Sequence, residues 1–329
     1  MKLVICEKPS VAKAVASALG VTSRVDGCFE GNGLIVSWCV GHLVSPMDAA
    51  GYDPGYKKWK YDDLPILPEP FRYVLAKGKE DAFQNLKRLM DREDVTELVN
   101  ACDAGREGEL IFRLVYEMAG CRKPFSRLWI SSMEDAAIRE GFQNLRPGAE
   151  YDPLYQSALC RQKADWLIGI NATRLFSVLY HRTLNVGRVQ TPTLAMLVDR
   201  DWKISSFKKE KYHHVRLALD GAEAVSEKIA APEEAEALRA ACTGAAVTCT
   251  TVTREQKKEN PPKLYDLTSL QREANRVFGY TAKQTLDYAQ ALYEKKLLTY
   301  PRTDSRYLTA DMAESASAVL HLGAGVPSF

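Results

Sequence analysis

Three carboxylates and two glycines crowd the end of one apolar run. In "ELVNACDAGREGEL", Leu98 to Cys102 gives way to Asp103, Glu107 and Glu109, interleaved with Gly105 and Gly108. Oxygen-only carboxylate clusters suit Mg²⁺, which binds through one or two carboxylates plus waters and phosphate oxygens. The same glutamates would equally favour a plain helix N-terminus, where acids complement the macrodipole. A second acid, Glu7, ends the apolar run in "LVICEK". Sites in open parallel sheets form at strand carboxyl ends. If the two runs are neighbouring strands, Glu7, Asp103 and Glu107 converge. Gly105 and Gly108 are expected to let the backbone turn tightly there.

A tyrosine sits in a second suggestive setting. "LLTYPRTDSRYL" places Tyr300 beside Pro301, Arg302 and Asp304. A phenol of pKa about 10 is a poor nucleophile unless its phenolate is favoured. Arg302, two residues on, shares a face of an extended chain with Tyr300. Its guanidinium fork can bind a scissile phosphate and hold transition-state charge. The plainer possibility is a half-buried strand tyrosine.

A third group has the make-up of a single-strand groove. "RQKADWLIGINATR" supplies Arg161, Asp165, Trp166 and Arg174; "HRTLNVGRVQTPT" adds His181, Arg182, Arg188, Gln190 and Thr191. Backbone charge and base stacking both contribute to such grooves. Trp166 would serve equally as core, and Arg188 as a solvated surface charge.

The elements that must position these groups follow from pattern. Leu3 to Cys6 reads as a strand buried on both faces. Pro9 opens an Ala-rich helix that Gly20 stops. "KEDAFQNLKRLMDRE" has helical spacing, as does "REGELIFRLVYEMAG". "FSRLWIS" reads as another strand. This alternation predicts an α/β parallel sheet over 1–149. "GYDPGYKKWKYDDLPILPEP" reads as a long loop and "NLRPGAEYDP" as a linker. Residues 150–211 read as helical. Residues 212–265 read as a partial β-rich segment around the helix "APEEAEALRAA", with "AAVTCTTVT" as one strand. Residues 266–329 begin with two helices, capped at Thr268 to Gln271 and Thr281 to Gln284. A short strand, "LLTYPRT", follows, as in a winged helix-turn-helix.

Composition bounds the rest. The 329 residues leave room for two or three domains. Net charge is only +2, so overall charge says nothing about nucleic acid. None of the eight cysteines forms a C-x-x-C pair, which argues against a zinc ribbon. Cys6 and Cys102 read as small core residues. No apolar run reaches the roughly 18 residues of a membrane helix. No signal peptide is apparent, so a reducing cytoplasm is the expected compartment.

Four stretches in this order resemble type IA DNA topoisomerases, most closely the bacterial topoisomerase III branch. They are "LVICEKPSVAKAVASALG", "ACDAGREGEL", "NVGRVQTPTLAML" and "LLTYPRTDSRYL". The resemblance covers nearly the whole chain. It implies a Toprim domain, a helical DNA-gripping segment and a winged-helix-like tyrosine domain. It implies that Tyr300 attacks a phosphate of single-stranded DNA, giving a 5′-phosphotyrosine and a free 3′-hydroxyl. Arg302 would position the phosphate and Lys8 would stabilise its charge. Glu7 would assist proton transfer at the 3′-oxygen. Glu7, Asp103 and Glu107 would hold Mg²⁺. Arg161, Asp165, Trp166, Arg174, Arg182, Arg188, Gln190 and Thr191 would line the DNA path. Negatively supercoiled DNA would be the substrate in a nucleoid-associated, cytoplasmic setting, with no membrane partner and no helicase partner specified. One phosphodiester is exchanged for another, so no nucleotide motif is needed, and no G-x-x-x-x-G-K-S/T is present.

Two departures matter. The family's acidic motif has a second aspartate where this chain has Gly105, which implies weaker metal binding. The chain is also expected to be an N-terminal fragment, without the family's later histidine-containing motif or the strands that close its ring. A different Toprim enzyme, such as a primase or nuclease, and a non-catalytic single-strand-binding remnant are the competing readings.

Overall fold

The computed structural model describes residues 1–130, 133–248, 250–295, 297–303, 305–308 and 312–323. Strand β1 (Lys2–Cys6) leads into α1 (Pro9–Ala18), whose first position is Pro9. Proline costs nothing there, because that N–H has no helical partner. Gly20 takes φ +70 just after the helix, as expected of a stop. Then come β2 (Ser23–Val25), β3 (Cys28–Gly31), β4 (Leu34–Trp38), β5 (Val44–Pro46), α2 (Ala49–Tyr52) and β6 (Tyr73–Leu75). They are followed by α3 (Glu80–Asp91), β7 (Glu97–Ala101), α4 (Arg106–Met118), β8 (Phe125–Arg127), α5 (Asp135–Gln143) and β9 (Arg146–Pro147).

Seven of these strands form one sheet, in the order β2-β3-β4-β1-β7-β8-β9. The centre, β4-β1-β7-β8, is parallel. Antiparallel β2, β3 and β9 flank it, so the expected parallel sheet is mixed at its edges. β1 is central because it can be dry on both sides. Leu3 and Ile5 face one core with Leu98, Phe112 and Val115. Val4 and Cys6 face another with Ala12, Val15, Val36 and Val99. Strand alternation delivers this two-sided burial, and each large side chain so buried contributes about 1.5–3 kcal/mol.

The long stretch expected as a loop carries α2 and two 3₁₀ turns, Pro54–Lys57 and Tyr61–Asp63. The expected linker is also structured. It forms β9 and a 3₁₀ turn, Gly148–Tyr151, running straight into the 28-residue helix α6 (Asp152–Leu179). Gly148 packs so tightly on Phe125 that an added Cβ would lie 2.1 Å from its ring. α6 lies against α4, burying Tyr155 and Ala158 in the first core.

By contacts, Met1–Arg188 and the chain from Pro262 form one compact unit, and Val189–Pro261 forms a second. The second contains α7 (Gln190–Ser205), the hairpin of β10 (Arg216–Leu219) and β11 (Ala222–Val225), and α8 (Pro232–Cys242). The expected strand "AAVTCTTVT" does not form over its described residues, and none of them pairs with β10 or β11.

The chain from Pro262 supplies α9 (Leu267–Phe278), α10 (Ala282–Glu294) and α11 (Ala313–Gly323). The helix pair is as expected, with Gly279 left-handed at φ +70 between its members. The second capping box, Thr281 with Gln284, is present. The first is displaced: Asp266 caps α9 with Ser269, in place of Thr268 with Gln271. An aspartate one position before the helix reaches the free N–H groups better than a threonine inside it. The expected strand "LLTYPRT" is an irregular, bent segment over its described residues. Pro301 has no N–H to offer a ladder.

Candidate active site

The register Cys6↔Ala101 aligns the carboxyl ends of β1 and β7. Glu7 and Asp103 therefore emerge side by side. The Asp103 backbone N–H reaches the Glu7 carboxylate, and the two carboxylates repel. Glu7 is 9% exposed. Burial, and then the Asp103 charge, push its carboxyl above the usual range, while Lys8 and Arg302 oppose the rise. Lys8 sits in extended backbone at the start of α1, close enough for its charge to act on the Glu7 carboxylate.

Tyr300 closes the site from the other end of the sequence. Its hydroxyl donates to Asp103 Oδ2 at 2.9 Å. Its ring meets Tyr293 edge-on, 5.5 Å between centroids. Burial, and then Asp103, hold the phenol well above its ordinary value, and Arg302 pulls the other way. The segment is pinned to α9: Leu267 N–H donates to Thr303 O at 3.3 Å, and Arg306 Nε pairs with Asp266 at 2.8 Å. Asp304 lies outside the described residues.

The turn between β7 and α4 sorts its two glycines. A Cβ on Gly108 would sit 2.1 Å from Asp103 O, so only glycine allows the helix to start this close to the strand. Gly105 is different. Its φ of 176 is ordinary extended backbone, and a Cβ there would meet nothing within 4 Å. The expectation that Gly105 is needed for the turn is therefore corrected.

The three acids also separate. Glu109 is fully buried and serves structure: it pairs with Arg127 Nε at 2.7 Å and Arg113 Nε at 3.3 Å, and accepts from Asn100 Nδ2 at 2.9 Å. Arg127, also fully buried, donates to the backbone oxygens of Asn100, Cys102, Leu128 and Asp103 at 2.6–3.1 Å. It thus clamps the strand end that carries Asp103. Sequence reading missed Arg127; an arginine inside the apolar run "FSRLWI" was the available signal.

Glu107 is half exposed and turned away from the other two acids. Its Oε1 pairs with Arg161 Nη1 at 3.1 Å and its Oε2 with His42 Nε2 at 3.5 Å. The expected convergence therefore holds for Glu7 and Asp103 but not for Glu107. Among the described residues, no three acidic, histidine or cysteine side chains are gathered closely enough to hold an ion. Two crowded carboxylates at a strand end fit a hard cation such as Mg²⁺, which needs only one or two of them. Cys6 and Cys102, directly beneath, are buried core thiols as expected, pushed up in pKa.

The groove residues divide in the same way. Arg161, Asp165 and Arg188 are partly exposed and linked: Arg161 lies 3.9 Å from Asp165, and Arg188 2.8 Å from it. Arg182 is exposed, beside a cavity of about 370 Å³ lined by Trp59, Ser177, His181 and Thr183. Gln190 and Thr191 open α7 in the second unit. Two residues are better explained as scaffold. Arg174 is 4% exposed and donates to Tyr56 O at 2.9 Å. Trp166 donates to Met47 O at 3.1 Å and packs edge-on against Tyr52 and Phe71. Both tie the long loop and its flanks to α6.

Comparison with known proteins agrees with this geometry. Residues 149–326 match the DNA topoisomerase family, and residues 2–133 match the Toprim domain. The chain is 44% identical to DNA topoisomerase 3 of Shouchella clausii, over 97% of this chain and 45% of that protein. It is likewise 44% identical to DNA topoisomerase 3 of Bacillus subtilis, over 94% of this chain and 44% of that protein. The solved structure of full-length topoisomerase I from Thermotoga maritima superposes with a TM-score of 0.66 at 26% identity, covering 97% of this chain and 52% of that one. The chain thus spans about half the length of these relatives or less. Among the described residues, no helix is long and apolar enough to cross a membrane. With an acid pair at the ends of β1 and β7 and a tyrosine bonded to it, the chain belongs to the type IA DNA topoisomerases, on the bacterial topoisomerase III branch.

Proposed function

We propose that this chain cleaves and rejoins single-stranded DNA through Tyr300, the step by which the whole protein would relax or unlink negatively supercoiled DNA. The observation that carries the proposal is the 2.9 Å hydrogen bond from Tyr300 to Asp103, which brings a tyrosine to an acidic strand end 197 residues away. Neither a nuclease nor a binding remnant needs that contact.

Tyr300 Oη loses its proton by way of the Asp103 carboxylate it is bonded to and attacks the scissile phosphorus; an O–P bond forms and the P–O3′ bond breaks, and on rejoining the proton returns to Oη. Arg302, facing both Tyr300 and Glu7, binds the phosphate oxygens. Lys8 adds positive charge from the start of α1. Glu7, whose burial favours its protonated form, gives a proton to the departing 3′-oxygen and takes it back on rejoining. When bound, Mg²⁺ would supply further neutralisation of the phosphate from Glu7 and Asp103. Positioning and electrostatics dominate such transfers, and the bond energy is kept. Arg161, Arg182 and Arg188 are the side chains offered to the DNA strand.

Incubating the chain with a 5′-fluorescent single-stranded oligonucleotide and Mg²⁺, followed by a denaturing gel, tests this. The expected result is a shortened labelled fragment with a free 3′-hydroxyl, and a protein-linked downstream fragment absent in Tyr300→Phe. Cleavage without a protein adduct would support the nuclease reading. Salt-dependent binding with no cleavage would support the remnant.

A further inference from the structure

Both oxygens of the Glu107 carboxylate have partners, the Arg161 guanidinium at 3.1 Å on one and His42 Nε2 at 3.5 Å on the other. Arg161 also approaches Asp165, which Arg188 holds from its far side. These groups form a row of alternating charge, and all but Arg188 line a cavity of about 270 Å³ between α4, α6 and β5. Glu107 is 51% exposed and Arg161 37%. Ion pairs this wet are weak and exchange readily. The row therefore joins a carboxylate one turn from Asp103 to the arginines offered to DNA.

We propose that Arg161 is a positioning residue that exchanges partners: it holds Glu107 while the groove is empty and releases it when a DNA phosphate takes the guanidinium. This rests on the function proposed above. Glu107 then becomes available to the cation that Glu7 and Asp103 attract. A divalent ion and a DNA strand both favour the state in which the Arg161–Glu107 pair is broken. Each ligand therefore tightens the other, by the same factor in both directions. The wait for DNA keeps the third carboxylate out of the metal site until there is a phosphate to cleave. It also accounts for Glu107 lying apart from Glu7 and Asp103.

The test uses the full chain carrying Tyr300→Phe, so that no adduct forms. Mn²⁺ binding is followed by the electron paramagnetic resonance signal of the free ion, with and without an oligodeoxythymidylate. The expected result is that DNA tightens Mn²⁺ on the order of five-fold or more. In Arg161→Ala, Mn²⁺ should bind the DNA-free chain more tightly than the parent, and the effect of DNA should fall below about two-fold. Arg161→Gln serves as a second variant, and melting curves confirm that both fold. Arg188→Ala, which loses the same charge without touching Glu107, should bind DNA more weakly but keep the coupling. Unchanged coupling in Arg161→Ala and Arg161→Gln overturns the exchange. Equal loss of coupling in Arg188→Ala also overturns it, by reducing the effect to net charge. Asp103→Ala separates the two levels. Mn²⁺ binding that survives it refutes the metal site itself. Mn²⁺ binding lost in Asp103→Ala, with coupling intact in Arg161→Ala, refutes only the exchange.

Discussion

The hydroxyl of Tyr300 and the carboxylate of Asp103 are hydrogen-bonded at 2.9 Å, with Asp103 accepting. The bond fixes the phenol in its protonated form, since Asp103 is also a charge that opposes the phenolate. Asp103→Asn keeps an acceptor and removes the charge. Its stability should stay within about 1.5 kcal/mol of the parent, the usual net worth of one hydrogen bond. Adduct formation with Mg²⁺ should fall on the order of 10²-fold, since a charged group at the phosphate is lost. Thermal melts and the denaturing-gel assay measure the two effects separately.

Glu7 gives a pH prediction for the metal-free chain. Its folded-state pKa lies above the ordinary carboxylate value, because of burial and Asp103. Folding therefore binds protons at this site. The favourable contribution is fully present below the ordinary carboxylate pKa and is lost as pH rises through the raised one. Glu7→Gln, neutral at every pH, should gain stability relative to the parent as pH rises through that window. The gain should vanish in acid. Melting curves in chelator across pH check it; a difference that does not vary with pH counts against the shift.

The two glycines of the acidic turn should behave oppositely. Gly108→Ala forces a methyl onto Asp103 O and should cost about 1–3 kcal/mol, with loss of adduct. Gly105→Asp enters open space at the N-cap of α4, just before Arg106, where no side chain caps the helix. It should add about a few tenths of a kcal/mol as a cap. Titrating Mg²⁺ against religation should give a curve shifted to lower Mg²⁺ in Gly105→Asp. Superimposable curves would remove Gly105 as a determinant of metal affinity.

Arg127→Met would leave Glu109 buried with part of its charge uncompensated and four backbone oxygens short of a donor. The expected loss is about 3–5 kcal/mol. Arg127→Lys should rescue little, because one ammonium cannot span the same set of acceptors. Denaturant unfolding of the three proteins measures this directly.

What could be read from sequence alone was whatever depends on neighbours along the chain. β1 and β7 were visible as short apolar runs, and α4, α8, α9 and α10 as periodic or capped ones. Asp103 and Glu7 stood out because each follows a buried strand at once. The family could be recognised because four motifs recur in one order. Contacts across the chain were decided elsewhere. Register between β1 and β7 put Glu7 beside Asp103, and packing around Pro262–Thr303 brought Tyr300 to the same point. Charge pairing turned Glu107 toward Arg161 and buried Glu109 on Arg127, two fates that identical side chains two residues apart cannot announce. Sequence spacing says which side chains share a face. Only the tertiary structure says which opposite charge each one meets, and so that Glu109 is buried scaffold while Glu107 pairs at the surface.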